Sequence, residues 1–171
     1  MCEDCVPYRK KSLYLGLTVP MLVMYVAIAV LLWRASIFFF VLYAVLFVVV
    51  AVGQAYVCNY WNCPYVGRFG PCVGGFCLPS SQIARLFKRV RRSEAAYNVA
   101  MSAAFVALLG IILLPLYFLY VQGVWYLVAY LGIVLAYATA FLWWICSACA
   151  TRQVCPGGQA STGLRRRLAG K

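Results

Sequence analysis

The stretch Val30-Leu31-Leu32-Trp33-Arg34-Ala35-Ser36-Ile37-Phe38-Phe39 decides the fold. It interrupts a run from residue 13 to residue 57 in which Arg34 is the only charged side chain. A hydrocarbon core about 30 Å thick is crossed by roughly 20 helical residues. The run therefore holds two crossings, 13–33 and 37–57, and the three residues between them permit only an antiparallel hairpin. Farther along, Gln122 and Gly123 separate the apolar runs 99–121 and 124–145, neither of which contains Asp, Glu, Lys or Arg. A second hairpin follows by the same reasoning. Pro20 and Pro115 fall inside spans, where membrane helices tolerate them because neighbours re-satisfy the freed carbonyl; they predict kinks. The first run is too long for the apolar core of a cleavable signal peptide and no small-residue cleavage motif follows it, so it is expected to remain in the protein.

Of the 171 residues, 66% are hydrophobic and 11% are charged, against roughly a quarter charged in a soluble domain. The charge is one-sided: 15 Lys plus Arg against 3 Asp plus Glu, for a net +12. With two hairpins, the N-terminus, the central loop and the tail share one side of the membrane, and Arg34 is the single cation on the other. Basic residues are retained in the cytoplasm during insertion, so both termini and the central loop are expected there. The fold class is an all-α integral membrane protein with four transmembrane helices as two antiparallel hairpins, plus a cytoplasmic Cys-rich loop and a short amphipathic interfacial helix. Its parts are an N-terminal segment 1–12, hairpin one 13–57, the Cys-rich loop 58–78, a basic amphipathic helix 79–97, hairpin two 98–145 and a Cys-containing basic tail 146–171. The hairpins overlay with an offset of 88 residues that maps Trp33 to Val121, Arg34 to Gln122 and Cys58 to Cys146. If this is an ancestral duplication, it is a parallel repeat about the membrane normal; unrelated hydrophobic hairpins also overlay moderately well.

All nine cysteines lie at or beyond the cytoplasmic ends of spans, although the spans hold about half the chain. Cysteine used as a small apolar packing residue would sit within them. The loop carries Cys58 and Cys63, then Cys72 and Cys77, each pair with four residues between partners; Cys2 and Cys5, and Cys146 and Cys149, have two between. Such spacing lets two sulfurs of one turn face a common ion, and four thiolates close a zinc site or hold an iron-sulfur cluster. Two ligand sets are expected. One is Cys58, Cys63, Cys72 and Cys77; the other is Cys2, Cys5, Cys146 and Cys149, with Cys155 as a spare. Zinc needs no redox role, whereas Pro64 and Pro156 directly after cysteines favour iron-sulfur.

The competing chemistry is thiol-disulfide exchange. Cys146-Ser-Ala-Cys149 at a helix end, with a second cysteine pair on a loop of the same face, resembles in layout the four-helix, quinone-coupled disulfide enzymes of the DsbB and vitamin K epoxide reductase type. The resemblance implies Cys146 and Cys149 as the catalytic pair and a quinone as cofactor. Those enzymes usually present their cysteines to the oxidising side, and these face the cytoplasm, where stable disulfides are uncommon. Arg152 and the basic surface would lower a nearby thiol pKa. A third class is a structural membrane subunit whose cysteines tie loops together.

From residue 79 to 94, Ile83, Leu86, Phe87 and Val90 recur at helical spacing while Arg85, Lys88, Arg89, Arg91 and Arg92 take other positions, and Ser80 or Ser81 can cap the start. This predicts a helix lying on an anionic inner leaflet, which attracts each basic residue by about 1 kcal/mol. Nucleic acid also suits a basic run, but with four spans attached the bilayer is the expected partner, alongside a protein redox or membrane-complex partner. The tail cations Arg165, Arg166, Arg167 and Lys171 read as topology determinants and lipid contacts, with Gly157, Gly158 and Gly163 making the tail flexible.

The sequence has no histidine, which excludes histidine-ligated haem, a copper-histidine centre, a histidine base and a Ser-His-Asp triad. No carboxylate lies inside a span, so a proton relay lacks its usual parts. The polar groups within spans, Thr18, Gln54, Ser102, Thr139 and tyrosines such as Tyr25, Tyr43, Tyr130 and Tyr137, are expected to bond between helices.

Overall fold

The computed structural model describes residues 11–61, 63, 66, 77–87, 93–149 and 155–168. Every element among them is helical. The first hairpin is α1 (Lys11–Ala35) and α2 (Ile37–Tyr60), separated by Ser36 alone in an extended conformation. A short α3 (Cys77–Leu86) leads to α4 (Glu94–Leu113), α5 (Leu116–Gln122) and α6 (Val124–Ala140). A π turn (Phe141–Ile145) and a 3-10 turn (Cys146–Ala148) extend α6, and α7 (Pro156–Leu168) closes the described chain. Four stretches are long and apolar enough to cross a bilayer: Ser12–Ala35, Ile37–Tyr60, Glu94–Gln122 and Val124–Ile145. The shortest has 22 residues, about 33 Å at 1.5 Å per residue. The protein is a multi-pass integral membrane protein.

The prolines behave differently. Pro115 divides the third span into α4 and α5, whereas α1 runs through Pro20 without interruption. The second tip is sharp because Gly123 adopts φ +143°, a conformation that L side chains rarely adopt.

Packing follows a heptad stripe on α1. Tyr14, Thr18, Met21, Tyr25, Ile28 and Leu32, at alternating steps of four and three, are all buried, the spacing that keeps one seam of a helix against its neighbours. Val19, Val23 and Val26, off that stripe, are more than half exposed and face lipid. The hairpin α1/α2 is locked by edge-on rings at 5.0 Å, Trp33 on Phe40 and Tyr25 on Phe47. The closest seam runs between hairpins. Helices α2 and α4 are antiparallel, with Gly53 against Ala100 and Ala104, Leu46 against Gly110, and Tyr60 stacked on Tyr97 at 4.6 Å. Phe39 meets Phe118 at 5.0 Å and Tyr14 meets Phe141 at 6.2 Å, so α1 and α6 close the four-helix ring. Lipid offers no hydrophobic drive between helices, so close small-residue contact of the Gly53 kind supplies the attraction.

The polar groups within spans divide. Tyr130 OH donates to Ile112 O at 3.1 Å across hairpin two, and Gln54 Oε1 accepts from Ser80 Oγ at 3.5 Å. Thr139 instead bonds back to Leu135 O and Ala136 O of its own helix, and Thr18 Oγ1 is buried with no partner among the described residues.

Candidate functional site

Two ends of the bundle differ in chemistry. The tip end carries Arg34, Gln122, Trp33, Trp125 and Tyr126. The other end carries Cys58, Cys63, Cys146, Cys149 and Cys155, all as thiols.

At the end of α6 the helix widens. The Cys146 N–H bonds to Phe141 O five residues back instead of four, and a π turn of this kind frees carbonyls from the helical ladder. Helix α7 bonds to two of them, sharing Trp143 O with Ser147 Oγ, which donates to it at 2.7 Å. Ser161 Oγ donates to Leu142 O at 2.8 Å, and Arg165 Nη2 donates to Trp143 O at 2.5 Å while its guanidinium lies 5.1 Å from the centre of the Trp143 ring. Ser161 and Arg165 are four apart, so one face of α7 makes both bonds. The expected flexible tail is therefore corrected: through residue 168 it is a helix docked on the fourth span, and Gly158 and Ser161 are buried in that contact.

This docking sets the cysteines. Cys155 precedes α7, its carbonyl accepting the Gln159 N–H at 3.0 Å, with Pro156 in the first-turn position where its missing N–H costs nothing. The 3-10 turn carries Cys146 into Cys149, whose N–H bonds to Cys146 O at 3.3 Å. A Cβ placed on Gly157 would lie 3.5 Å from Cys146 Sγ and 4.0 Å from Cys155 Sγ, so these two sulfurs flank one glycine. Burial pushes the Cys146 thiol up to about 12, and the neighbouring Cys155 and Cys149 push it further the same way. The expected lowering of this thiol's pKa by its basic surroundings is thus corrected by desolvation; Arg152 itself lies outside the described residues.

The second predicted ligand set is half placed. Cys146 and Cys149 share one turn, the spare Cys155 lies near Cys146 across Gly157, and Cys2 and Cys5 lie outside the described residues. Of the first set, Cys58 lies in the last turn of α2 and the Cys63 N–H bonds back to Cys58 O at 2.9 Å. Cys77 opens α3, its side chain outside what is described, as is Cys72. Among the described residues no group of three or more cysteines or carboxylates stands close enough together to hold a metal ion.

The interfacial helix also differs from expectation. It begins at Cys77 rather than 79 and its regular part ends at Leu86. Ser80 and Ser81, expected to cap it, are buried within it along with Ala84, against α2, while Leu86 is 77% exposed. Asn59 Nδ2 donates to Phe87 O at 2.8 Å, the Tyr56 ring meets Phe87 at 5.8 Å, and the Ser93 N–H reaches Tyr56 OH at 3.3 Å. The helix is docked on protein by its small face, because small side chains let two backbones approach. Arg85 is exposed; Lys88, Arg89, Arg91 and Arg92 lie outside the described residues.

Sequence reasoning missed the π turn and the docking of α7; neither has a periodic signature. No protein family, curated protein or solved structure matches this chain.

Proposed function

We propose that the protein carries a cysteine-ligated metal, zinc or an iron-sulfur cluster, at the cytoplasmic end of its fourth span, and serves electron transfer or metal-stabilised docking of a partner. The single observation behind this is that the docking of α7 brings Cys155 near Cys146, which is one turn from Cys149; the three are not in ligand geometry as described, so the metal would have to draw them together. Three thiols are the soft donors that such metals take, and a fourth from Cys2 or Cys5 would complete the set. Burial holds Cys146 protonated; a cation beside it reverses that preference, since a coordinating thiol is deprotonated outright. Placement in the cytoplasm rests on charge: 14 of 15 Lys and Arg lie, in sequence, on the cysteine side of the spans, as the positive-inside rule requires. The anionic inner leaflet is then the surface met by Arg85 and the 88–92 segment.

Metal analysis and a visible spectrum of anaerobically purified protein test the reading. Stoichiometric zinc or iron is expected, lost in Cys146→Ser and Cys155→Ser, and absence of both metals refutes it. The alternative is thiol-disulfide exchange, in which two thiols give two electrons and two protons to a quinone and close a disulfide. It is favoured by the proximity of Cys146 and Cys155 and opposed by the raised Cys146 pKa, since the thiolate is the nucleophile.

A further inference from the structure

The groove at the tip end, far from the cysteines, has a volume of about 390 Å³ and is lined by Ala27, Val30, Leu31, Arg34 and Ala35 of α1 and by Gln122 of the second tip. Its volume is in the range of ligand sites, and its lining is divided. Ala27, Val30 and Leu31, with Val30 and Leu31 three and four residues after Ala27, form an apolar strip along the span. Arg34 and Gln122 close its mouth with hydrogen-bond donors.

Among the described residues Arg34 has no carboxylate to pair with. The three acidic residues are Glu3, Asp4 and Glu94; Glu94 opens α4 at the opposite end and the other two precede α1. Depth along the membrane normal adds a second constraint. Trp33, Trp125 and Tyr126 at the same end are 57%, 84% and 61% exposed, and amphipathic rings of this kind sit at the headgroup level. Arg34 therefore stands where lipid phosphates are, with the apolar strip running from it toward the membrane centre. An arginine fork matches phosphate oxygens, two N–H donors to two oxygens, and the Gln122 amide adds a donor from the second hairpin.

We propose that this groove binds one phospholipid of the adjoining leaflet, its phosphodiester held by Arg34 and Gln122 and one acyl chain lying along Ala27, Val30 and Leu31. The lipid would bridge the tips of the two hairpins, which in sequence are joined only through the opposite end. The proposal is independent of the metal reading.

Native mass spectrometry of the full chain, delipidated in mild detergent and titrated with phosphatidylglycerol, tests it. One tightly held lipid is expected on the wild type, weakened about tenfold in Arg34→Gln by loss of a charge-assisted contact. Ala27→Trp, which fills the strip and leaves the charge in place, should weaken it as well. The same titration with inorganic phosphate distinguishes a lipid from a free anion. The proposal is overturned by equal retention in the wild type and both variants, or by inorganic phosphate displacing the lipid at equal concentration. Loss in either variant, with phosphate inert, supports it.

Discussion

Replacing Gly53 by alanine should separate the two hairpins. The added Cβ would stand 2.8 Å from Ala104 Cβ and 2.9 Å from Ala100 O, where non-bonded carbons rest at about 3.5 to 4.0 Å. Neither neighbour has a torsion that moves it aside, since one is a first side-chain carbon and the other is backbone. Helices α2 and α4 must therefore part by roughly 1 Å along their tightest seam, and overpacking of this kind costs about 1 to 3 kcal/mol. Gly132→Ala supplies the contrast, because a Cβ there meets nothing within 4 Å and removing a helical glycine gains up to about 1 kcal/mol. The two variants should move in opposite directions when unfolding is followed by circular dichroism in mixed micelles of rising SDS fraction. If Gly53→Ala is as stable as Gly132→Ala, the seam does not hold the hairpins together and the packing argument fails.

Two further perturbations probe the cysteine end. Ser161→Ala removes the donor to Leu142 O at the π turn; at about 1 kcal/mol for a lost hydrogen bond, amide exchange in α7 should quicken roughly fivefold, and unchanged exchange would show that α7 is held by something else. In metal-free protein, Cys146 should resist alkylation. With its pKa moved from an ordinary 9.0 to about 12, its thiolate fraction at pH 8 falls roughly a thousandfold relative to the unfolded chain. The folded state keeps the proton, so this group's contribution to stability is whole below pH 9 and is lost as pH rises toward 12. Mass-spectrometric iodoacetamide labelling from pH 7 to 11 reads the curve, and labelling of folded and unfolded Cys146 at equal rates would refute it.

The spans were legible because nothing competes with a run of twenty apolar residues for its interpretation, and the tips were legible because Arg34 and Gln122 break those runs. What lies on the cysteine side was harder for one physical reason. Ser80 and Ser81 read in sequence as helix caps and Gly158 as part of a flexible tail, and Ala84 and Ser161 carried no signal, yet in the structure all five are buried. In water an apolar stripe marks the buried face; against a membrane span, small residues mark it, because close backbone approach and hydrogen bonds to freed carbonyls replace the hydrophobic drive. Hydrophobic periodicity therefore pointed α3 at the leaflet through Ile83, Leu86 and Phe87, while its serines and alanine bind it to α2. The gathering of Cys146 and Cys149 followed from their spacing. The arrival of Cys155 did not, since it depends on where α7 docks.

That dependence gives the cysteine end its logic. A regular α-helix through Phe141–Ile145 would engage the Leu142 and Trp143 carbonyls in its own ladder and crowd the approach of Ser161 and Arg165; Trp143 O also accepts from Ser147 Oγ at 2.7 Å, so Leu142 O is the acceptor that depends most on the π turn. The π turn releases those carbonyls, α7 docks on them, and Cys155, at the first turn of α7, is brought to Cys146. The same few hydrogen bonds thus decide whether Cys155 lies near Cys146 or elsewhere. A ligand bridging Cys155 to Cys146 and Cys149 would in turn hold α7 against the span, so its binding and the docking of α7 reinforce each other by linkage. Under the metal reading, removing the metal should loosen α7 and Ser161→Ala should weaken metal retention, two effects of one coupling.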